Sequence, residues 1–270
     1  MKVVILAGGY GTRLSEHTSV VPKPLVEIGG RPILWHIMKL YSYHGLNDFV
    51  ICCGYKGILI KEYFLNYCNH GSDFTIDLER NQIETYRRPA EPWKVTLVDT
   101  GEATMTGGRL KRVREHLGDS TFCLTYGDGV GDVNIRELIR FHHEQSALAT
   151  VTAVQQPGRF GAINLSNDRP RASHFREKDA RDGQMINGGF FVVEPQALDT
   201  IDDDASVWEQ APLARLIDQD QLAVYRHHGY WQNMDTLRDK AILQDLWDRG
   251  NPPWCVWNQA PASAQLATTA

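Results

Sequence analysis

The chain has 270 residues, 42% of them hydrophobic and 23% charged, which is typical of a globular protein and excludes wholesale disorder. Its 28 basic and 33 acidic residues give a formal net charge of −5 without a run of like charge, so neither nucleic-acid nor membrane-surface binding is expected. No stretch approaches the roughly 20 apolar residues of a membrane span, and the five cysteines contain no C-x-x-C pair, which favours a cytoplasmic protein over a disulfide or zinc framework.

The predicted elements alternate between strands and helices through the first half of the chain. Apolar runs predict strands at 2–7, 49–53 and 121–126, and helical periodicity predicts helices at 31–40, 58–67 and 135–144. From about residue 148 strands dominate, at 148–154, 161–165, 172–175 and 189–193. Thr236 and Asp239 form a capping box for a last helix that reaches Arg249. This order predicts a mixed α/β domain over 1–257, followed by a disordered tail at 258–270.

A glycine-rich loop, Gly8-Gly9-Tyr10-Gly11, follows the first strand, where backbone N–H groups can surround a phosphate. The dinucleotide fingerprint fails because Leu14 stands where glycine or alanine is required, and no Gly-Lys-Ser/Thr follows to make a P-loop. A tight structural turn would explain the same glycines. Arg13 and Lys23, the latter held between two prolines, add the positive charge that a phosphate site needs.

Two aspartates are candidate ligands for a hard cation such as Mg²⁺. Asp128 lies between two glycines at the end of a predicted strand, and Asp235 precedes the last helix. Each has a structural alternative, since Asp128 could form a turn and Asp235 could cap the helix. Glu177 and Lys178 follow another strand, where alternating charge is also typical of a solvated edge.

The ten histidines suggest no ligand cluster. His142-His143 and His227-His228 are adjacent pairs, whose side chains we expect to point apart. No Ser/His/Asp arrangement or activated cysteine is visible, so covalent catalysis is not expected.

Several longer segments resemble the sugar-1-phosphate nucleotidyltransferases. They are residues 6–14 with Pro22-Lys23-Pro24, and then 91–101, 105–112 and 185–191. The last three are similar to the branch of that family that makes CDP-glucose, and the resemblance extends over residues 1–257. It implies a Rossmann-like α/β fold with a mixed, mostly parallel sheet flanked by helices and a smaller strand-rich portion that binds the sugar. The implied reaction converts CTP and α-D-glucose 1-phosphate into CDP-glucose and pyrophosphate, for surface-polysaccharide synthesis.

The resemblance also implies roles for individual residues. Catalysis is assigned to Arg13, Lys23 and Asp128, and Mg²⁺ binding to Asp128 and Asp235. The nucleotide is assigned to Leu6, Ala7, Gly8, Gly9, Gly11, Thr12, Arg13, Lys23, Thr104, Gly108 and Arg109, with Arg109 reaching its phosphates or base. The sugar phosphate is assigned to Tyr126, Glu177, Lys178, Asn187, Gly188 and Gly189. Asp179 and Asn233 stand where relatives carry proline, and relatives assemble as homo-oligomers, here a hexamer.

Three alternatives stay open. A catalytically silent regulatory subunit is opposed by the intact Arg13, Lys23, Asp128 and Asp235. A related transferase could use UTP or dTTP instead of CTP. A nucleotide-dependent oxidoreductase is opposed by the failed dinucleotide fingerprint.

Overall fold

The computed structural model describes residues 1–14, 18–86, 91–155, 162–165, 172–176 and 185–258. Over these residues the strands are β1 (Lys2–Leu6), β2 (Glu27–Ile28), β3 (Arg31–Pro32), β4 (Asp48–Cys53), β5 (Phe74–Asp77), β6 (Gln82–Thr85), β7 (Lys94–Asp99), β8 (Phe122–Tyr126), β9 (Gly129–Gly131), β10 (Ala149–Gln155), β11 (Ala162–Leu165), β12 (Ala172–Arg176), β13 (Met185–Val193), β14 (Leu222–His227) and β15 (Trp231–Asn233). The α-helices are α1 (Ile33–Tyr43), α2 (Gly57–Leu65), α3 (Tyr67–His70), α4 (Thr106–Arg112), α5 (Arg114–Leu117), α6 (Ile135–Gln145), α7 (Ala211–Asp218) and α8 (Leu237–Asp248).

A seven-stranded sheet with the order β14-β10-β13-β8-β1-β4-β7 forms the centre of the fold. Four of its six neighbouring pairs are parallel, and only β13 runs against its neighbours. The carboxyl ends of β1, β4, β7 and β8 therefore meet at one edge, together with the start of β13. The predicted mixed, mostly parallel α/β sheet is confirmed. Ligands of open α/β sheets bind at this edge.

Hydrophobic cores cover both faces of the sheet. Val3 and Ile5 of β1 point into one core, with α1, Leu243 of α8 and Trp254. Val4 and Leu6 point into the other, with Leu110 of α4 and Trp208. Because a strand alternates its side chains between faces, the unbroken apolar run of β1 is what two buried faces require.

Several predicted boundaries change in the structure. Arg31 and Pro32 pair with β2 as a short strand, so the first helix begins at Ile33. Pro32 has an extended backbone (ψ 144°) and precedes the helix instead of forming its first turn. The second helix ends at Leu65, where the backbone of Asn66 leaves helical geometry. The capping box of α8 is confirmed, with Thr236 and Asp239 bonding each other's backbone N–H groups.

The two outermost strands of the sheet, β7 and β14, are absent from the predicted elements. Their side chains are mostly half-buried, so neither shows the continuous apolar run that identifies an inner strand. The sequence prediction also lacked α4 and α7. No helix of the described residues is long and apolar enough to cross a membrane.

Three predictions concern residues that the structure does not describe. Glu177, Lys178 and Asp179 lie outside the described residues, as does 259–270 of the predicted tail. Asn258 ends a 3₁₀ turn, Val256–Asn258. The extent of the domain stays a prediction.

Candidate active site

A cavity of about 410 Å³ opens at the carboxyl edge of the sheet. It is lined by residues 6–13 of the glycine loop, by Lys23 and Pro24, by residues 102–106 with Arg109, and by residues 126–128. Twelve residues assigned to the site from the sequence are among these, namely Leu6, Ala7, Gly8, Gly9, Gly11, Thr12, Arg13, Lys23, Thr104, Arg109, Tyr126 and Asp128. The residues assigned to the nucleotide and those at the end of β8 therefore line the same cavity.

The prolines around Lys23 shape a tight turn. Pro22 precedes a 3₁₀ helix at Lys23–Leu25, closed by hydrogen bonds from the N–H of Leu25 to the carbonyl of Pro22 (2.8 Å) and from that of Val26 to the carbonyl of Lys23 (3.1 Å). Pro24 has no N–H and its φ is fixed, so it suits the first turn of a helix. The turn buries Lys23, whose exposed fraction is 9%.

The two predicted metal ligands meet at the ammonium of Lys23. Its Nζ donates to Oδ2 of Asp128 (2.6 Å) and to Oδ1 of Asp235. Asp235 Oδ2 accepts from Arg13 Nη1 at 2.7 Å and from Asn233 Nδ2 at 2.6 Å. Two carboxylates and two cations are thus gathered, although 222 residues separate Arg13 from Asp235 along the chain.

The charge of Lys23 is set by opposing effects. Burial alone would lower the pKa of Lys23, but the Coulombic attraction of Asp128 and the hydrogen bonds to both carboxylates outweigh it and raise the pKa above its usual value. Lys23 is therefore a firmly protonated group at neutral pH. Asn233, where relatives were expected to carry proline, supplies a donor that proline lacks.

Arg109 lies beneath the glycine loop, and its guanidinium is surrounded by acceptors. Nη1 donates to Thr100 Oγ1 (2.7 Å) and to the carbonyls of Gly101 (2.7 Å) and Cys53 (3.3 Å), and Nη2 donates to the carbonyls of Gly8 (3.0 Å) and Glu102 (3.1 Å). Its exposed fraction is 4%, and burial lowers its pKa. In this structure Arg109 ties the loops after β1, β4 and β7 together.

Position 8 has no room for a side chain because the guanidinium of Arg109 lies against it. A Cβ at Gly8 would lie 2.2 Å from Arg109 Nη1, and one at Gly54 would lie 2.3 Å from the same atom. Gly108, assigned to the nucleotide, does not line the cavity. It lies against Asp204, whose Cα would be 2.5 Å from an added Cβ, so α4 packs closely on that loop.

Asn187-Gly188-Gly189, predicted as a sugar-binding turn, instead lies within β13, next to an irregularity in its pairing with β10. This segment, called the sugar turn below, lies beside Tyr126. Asn187 Nδ2 donates to the Tyr126 hydroxyl (3.0 Å), and Asn187 Oδ1 accepts from the N–H of Gly189 (2.8 Å). Gly189 has a φ of +82°, and a Cβ there would lie 2.5 Å from the Tyr126 ring. Gly188 presents its carbonyl to Trp231 Nε1 at 2.7 Å.

Glu209 is a residue of this region that the sequence analysis missed. Its carboxylate accepts hydrogen bonds from the hydroxyls of Tyr126 and Thr106, the latter at 2.6 Å. Burial, and then the charge of Glu209, raise the pKa of Tyr126. Glu209 is in no recognisable motif and meets Tyr126 from 83 positions away, so only the spatial arrangement reveals it.

The prediction that His142 and His143 point apart is wrong. Their ligand atoms and a carboxylate oxygen of Glu194 all lie within 4.8 Å of one another. His142 is buried between Thr150 Oγ1 (2.8 Å) and Glu194 Oε1 (3.2 Å), which brings its ring toward His143 at the last turn of α6. Hydrogen bonds already occupy both ring nitrogens of His142.

The model of the family described as "Nucleotidyl transferase" matches residues 2–239. The chain belongs to the nucleotidyl transferase family. Within this family, the glucose-1-phosphate cytidylyltransferase of Salmonella typhi is 57% identical over 258 residues, covering 95% of this chain and 100% of that protein. The glucose-1-phosphate cytidylyltransferase of Salmonella typhimurium has the same identity and coverage.

A solved structure has a similar fold. The crystal structure of HddC from Yersinia pseudotuberculosis has a TM-score of 0.65 and 19% sequence identity, and it covers 91% of this chain and 99% of HddC. At this identity the similarity concerns the fold alone. The overall fold is therefore a known architecture.

Proposed function

We propose that the protein is a nucleotidyltransferase that forms CDP-glucose and pyrophosphate from CTP and α-D-glucose 1-phosphate. The convergence of Arg13, Lys23, Asp128 and Asp235 beside the cavity of the glycine loop carries this proposal. The 57% identity to the two Salmonella glucose-1-phosphate cytidylyltransferases supports the choice of substrates.

The reaction requires positioning and charge neutralisation and no general base. A phosphate oxygen of glucose 1-phosphate forms a bond to the α-phosphorus of CTP, and the bond from that phosphorus to the bridging oxygen of the β-phosphate breaks. The electron pair leaves with pyrophosphate. Arg13, Lys23 and the backbone N–H groups of the glycine loop would stabilise the negative charge on the triphosphate, which is the main contribution a protein makes to such a transfer.

The donor set near Lys23 fits a divalent cation. Asp128 and Asp235 already converge on a single positive charge, and carboxylate oxygens are the ligands that Mg²⁺ prefers. These two residues would hold Mg²⁺, which when bound neutralises phosphate oxygens. Arg13 and Asn233, both bonded to Asp235, orient its carboxylate.

The sugar side of the site completes the proposal. Tyr126, Asn187, Gly188 and Gly189 would bind the pyranose, with Glu177 on its hydroxyls and Lys178 on its phosphate. Tyr126 lines the cavity and accepts a hydrogen bond from Asn187, which supports this assignment. Thr104, which lines the cavity, and Gly108 would contribute to the nucleotide side.

We further propose that the protein works in the cytoplasm as a homo-oligomer, a hexamer by resemblance. All five cysteines are free, and burial raises the pKa of the Cys53 thiol to about 11 and that of Cys123 to about 12, as suits unreactive thiols in a reducing compartment. The β5–β6 ribbon supports self-association, since it exposes Ile76 and Ile83 to solvent.

Pyrophosphate release tests the function. With CTP, glucose 1-phosphate and Mg²⁺ we expect steady turnover, and CDP-glucose as the product by mass spectrometry. UTP and dTTP, tested in parallel, should give lower kcat/KM. Binding of CDP-glucose without turnover would instead identify a silent regulatory subunit. A higher kcat/KM with UTP or dTTP than with CTP would show that CTP is not the substrate.

A further inference from the structure

A chain of hydrogen bonds runs from α4 to the sugar turn through Glu209. Thr106 Oγ1 donates to Glu209 Oε2, and the Tyr126 hydroxyl donates to Glu209 Oε1. The Tyr126 oxygen then accepts from Asn187 Nδ2, and Asn187 Oδ1 accepts from the N–H of Gly189. Thr106 Oγ1 also accepts from the N–H of Trp208 at 2.9 Å.

The direction of each bond follows from Glu209. An ionised carboxylate can only accept, so the hydroxyls of Thr106 and Tyr126 must each donate their proton to Glu209, and their oxygens accept from the N–H of Trp208 and from Asn187 Nδ2. Two donors therefore converge on one side chain. Among side chains of this length only a carboxylate offers two acceptor oxygens, whereas glutamine offers one acceptor and one donor group.

The orientation of the sugar turn depends on this polarity. With its proton directed at Glu209, the Tyr126 oxygen faces Asn187 as an acceptor, which fixes the amide of Asn187 so that its oxygen meets Gly189. Reversal of the Tyr126 hydroxyl would favour the flipped amide, and the bond to Gly189 would be lost.

We propose that Glu209 is a positioning residue that orients the sugar turn through Tyr126 and joins it to the nucleotide wall at Thr106. This inference rests on the proposed function, because it concerns how the sugar phosphate is bound. Glu209 itself would touch neither substrate. Its negative charge sets the direction of the hydrogen bonds that lead from Thr106 through Tyr126 to Asn187.

The test compares Glu209→Gln with the wild type in the pyrophosphate assay. Because a hydrogen bond to a charged group is lost, we expect the KM for glucose 1-phosphate to rise about tenfold, while the KM for CTP stays within about twofold. Glu194→Gln is a matched control, since Glu194 also accepts from a threonine hydroxyl (Thr121, 2.8 Å) but follows the far end of β13. It should leave the sugar-phosphate KM unchanged.

A second variant separates positioning from a general loss of structure. In a Thr106→Val background one donor is gone, so the amide oxygen of a glutamine at 209 is free to accept from Tyr126. Glu209→Gln should then raise the sugar-phosphate KM by no more than about twofold. Equal, additive effects in both backgrounds, or an equal rise in the KM for CTP, would overturn the proposal. A wild-type protein without pyrophosphate release would instead refute the proposed function.

Discussion

Lys23 joins the two carboxylates of the site, which are the residues that would hold a divalent cation. Its ammonium lies within hydrogen-bond distance of both Asp128 and Asp235. Removal of either carboxylate would therefore change two things together, the negative charge proposed to hold Mg²⁺ and a hydrogen-bond partner of Lys23. For this reason substitution of either aspartate is expected to affect activity strongly, including that of the half-buried Asp128.

Asp128→Asn retains the size of the side chain and removes its charge. We expect turnover to fall by at least ~10², the usual effect of losing a principal electrostatic contact in a transition state. The measurement is kcat at saturating substrates over a titration of Mg²⁺. Asp199→Asn, which alters an exposed carboxylate paired with Arg114, serves as the control and should be neutral. Near-normal turnover of Asp128→Asn at saturating Mg²⁺ would mean that Asp128 only forms a turn.

Arg109→Lys distinguishes a structural role from contact with the nucleotide. Lysine retains the charge but cannot reach the five acceptors around the guanidinium, so we expect the free energy of unfolding to fall by about 3 kcal/mol. Urea unfolding followed by tryptophan fluorescence measures it. A variant of wild-type stability whose CTP affinity has collapsed would favour direct contact with phosphate or base, as the sequence analysis expected.

The first helix and the C-terminal segment are held together by an aromatic cluster around His36. Its exposed fraction is 1%, and rings of Trp247, Trp254 and Trp257 pack around it. Nε2 lies 3.0 Å from the carbonyl of Ile28 and must donate, whereas Nδ1 must accept from Trp254 Nε1 at 3.3 Å. Only the neutral ring satisfies both partners.

This cluster predicts a pH dependence of stability. Burial lowers the pKa of His36 to about 4, below the usual 6.5, so between these values the unfolded state binds the proton and the folded state does not. Stability therefore falls as the pH drops from 6.5 to 4, by up to about 3 kcal/mol from this residue.

Chemical unfolding at several pH values tests this dependence against His36→Gln. The variant should start less stable at pH 7 and lose less stability on acidification. His44→Gln is a needed companion, because burial and Arg136 lower the pKa of His44 to about 4 as well. If the wild type and His36→Gln lose the same free energy of unfolding on acidification, the prediction is contradicted.

Inner elements of the fold could be predicted from sequence, and outer ones could not. β1 and β4 are buried on both faces, so their sequences are continuous apolar runs that can be recognised. The edge strands β7 and β14 are half-exposed, and their sequences contain no such run. The same contrast holds in the site. The glycine loop is a local pattern, but the contact of Glu209 with Tyr126 depends on packing between distant segments, which no local pattern records.

The molecule as a whole presents an apolar ribbon and an apolar groove. Ile76 and Ile83 are opposite one another across β5 and β6, with exposed fractions of 50% and 65%. A mostly apolar groove of about 320 Å³ lies beside the edge strand β7 and is lined by Phe64, Leu65, Tyr67, Cys68, Glu91, Trp93, Val95 and Leu97. A two-stranded ribbon alone is marginally stable in water. The proposed homo-oligomer would cover it, with the ribbon of one copy in the groove of another.

Replacing both isoleucines tests this arrangement. We expect Ile76→Ser with Ile83→Ser to yield a smaller species than the wild type at equal concentration, measured by size-exclusion chromatography with light scattering. Burial of each apolar side chain is worth roughly 1.5–3 kcal/mol, so two replacements at a repeated interface should suffice. Ile217→Ser, at an exposed position of α7, is the matched control. An unchanged mass for the double variant would show that the ribbon is not part of the interface between copies.

The long separation in sequence between Lys23 and Asp235 affects the order in which the site is assembled during synthesis. A ribosome completes the glycine loop and the Pro22-Lys23-Pro24 turn early, yet the second carboxylate emerges 212 residues later. During that interval Lys23 lacks one of its two anionic partners, and α8, which closes this side, does not yet exist. Contacts between such distant residues form late in folding. Until Asp235 has emerged, the cation site that we propose has only Asp128 of its two carboxylates, so the site becomes complete long after its phosphate-binding loop has been made.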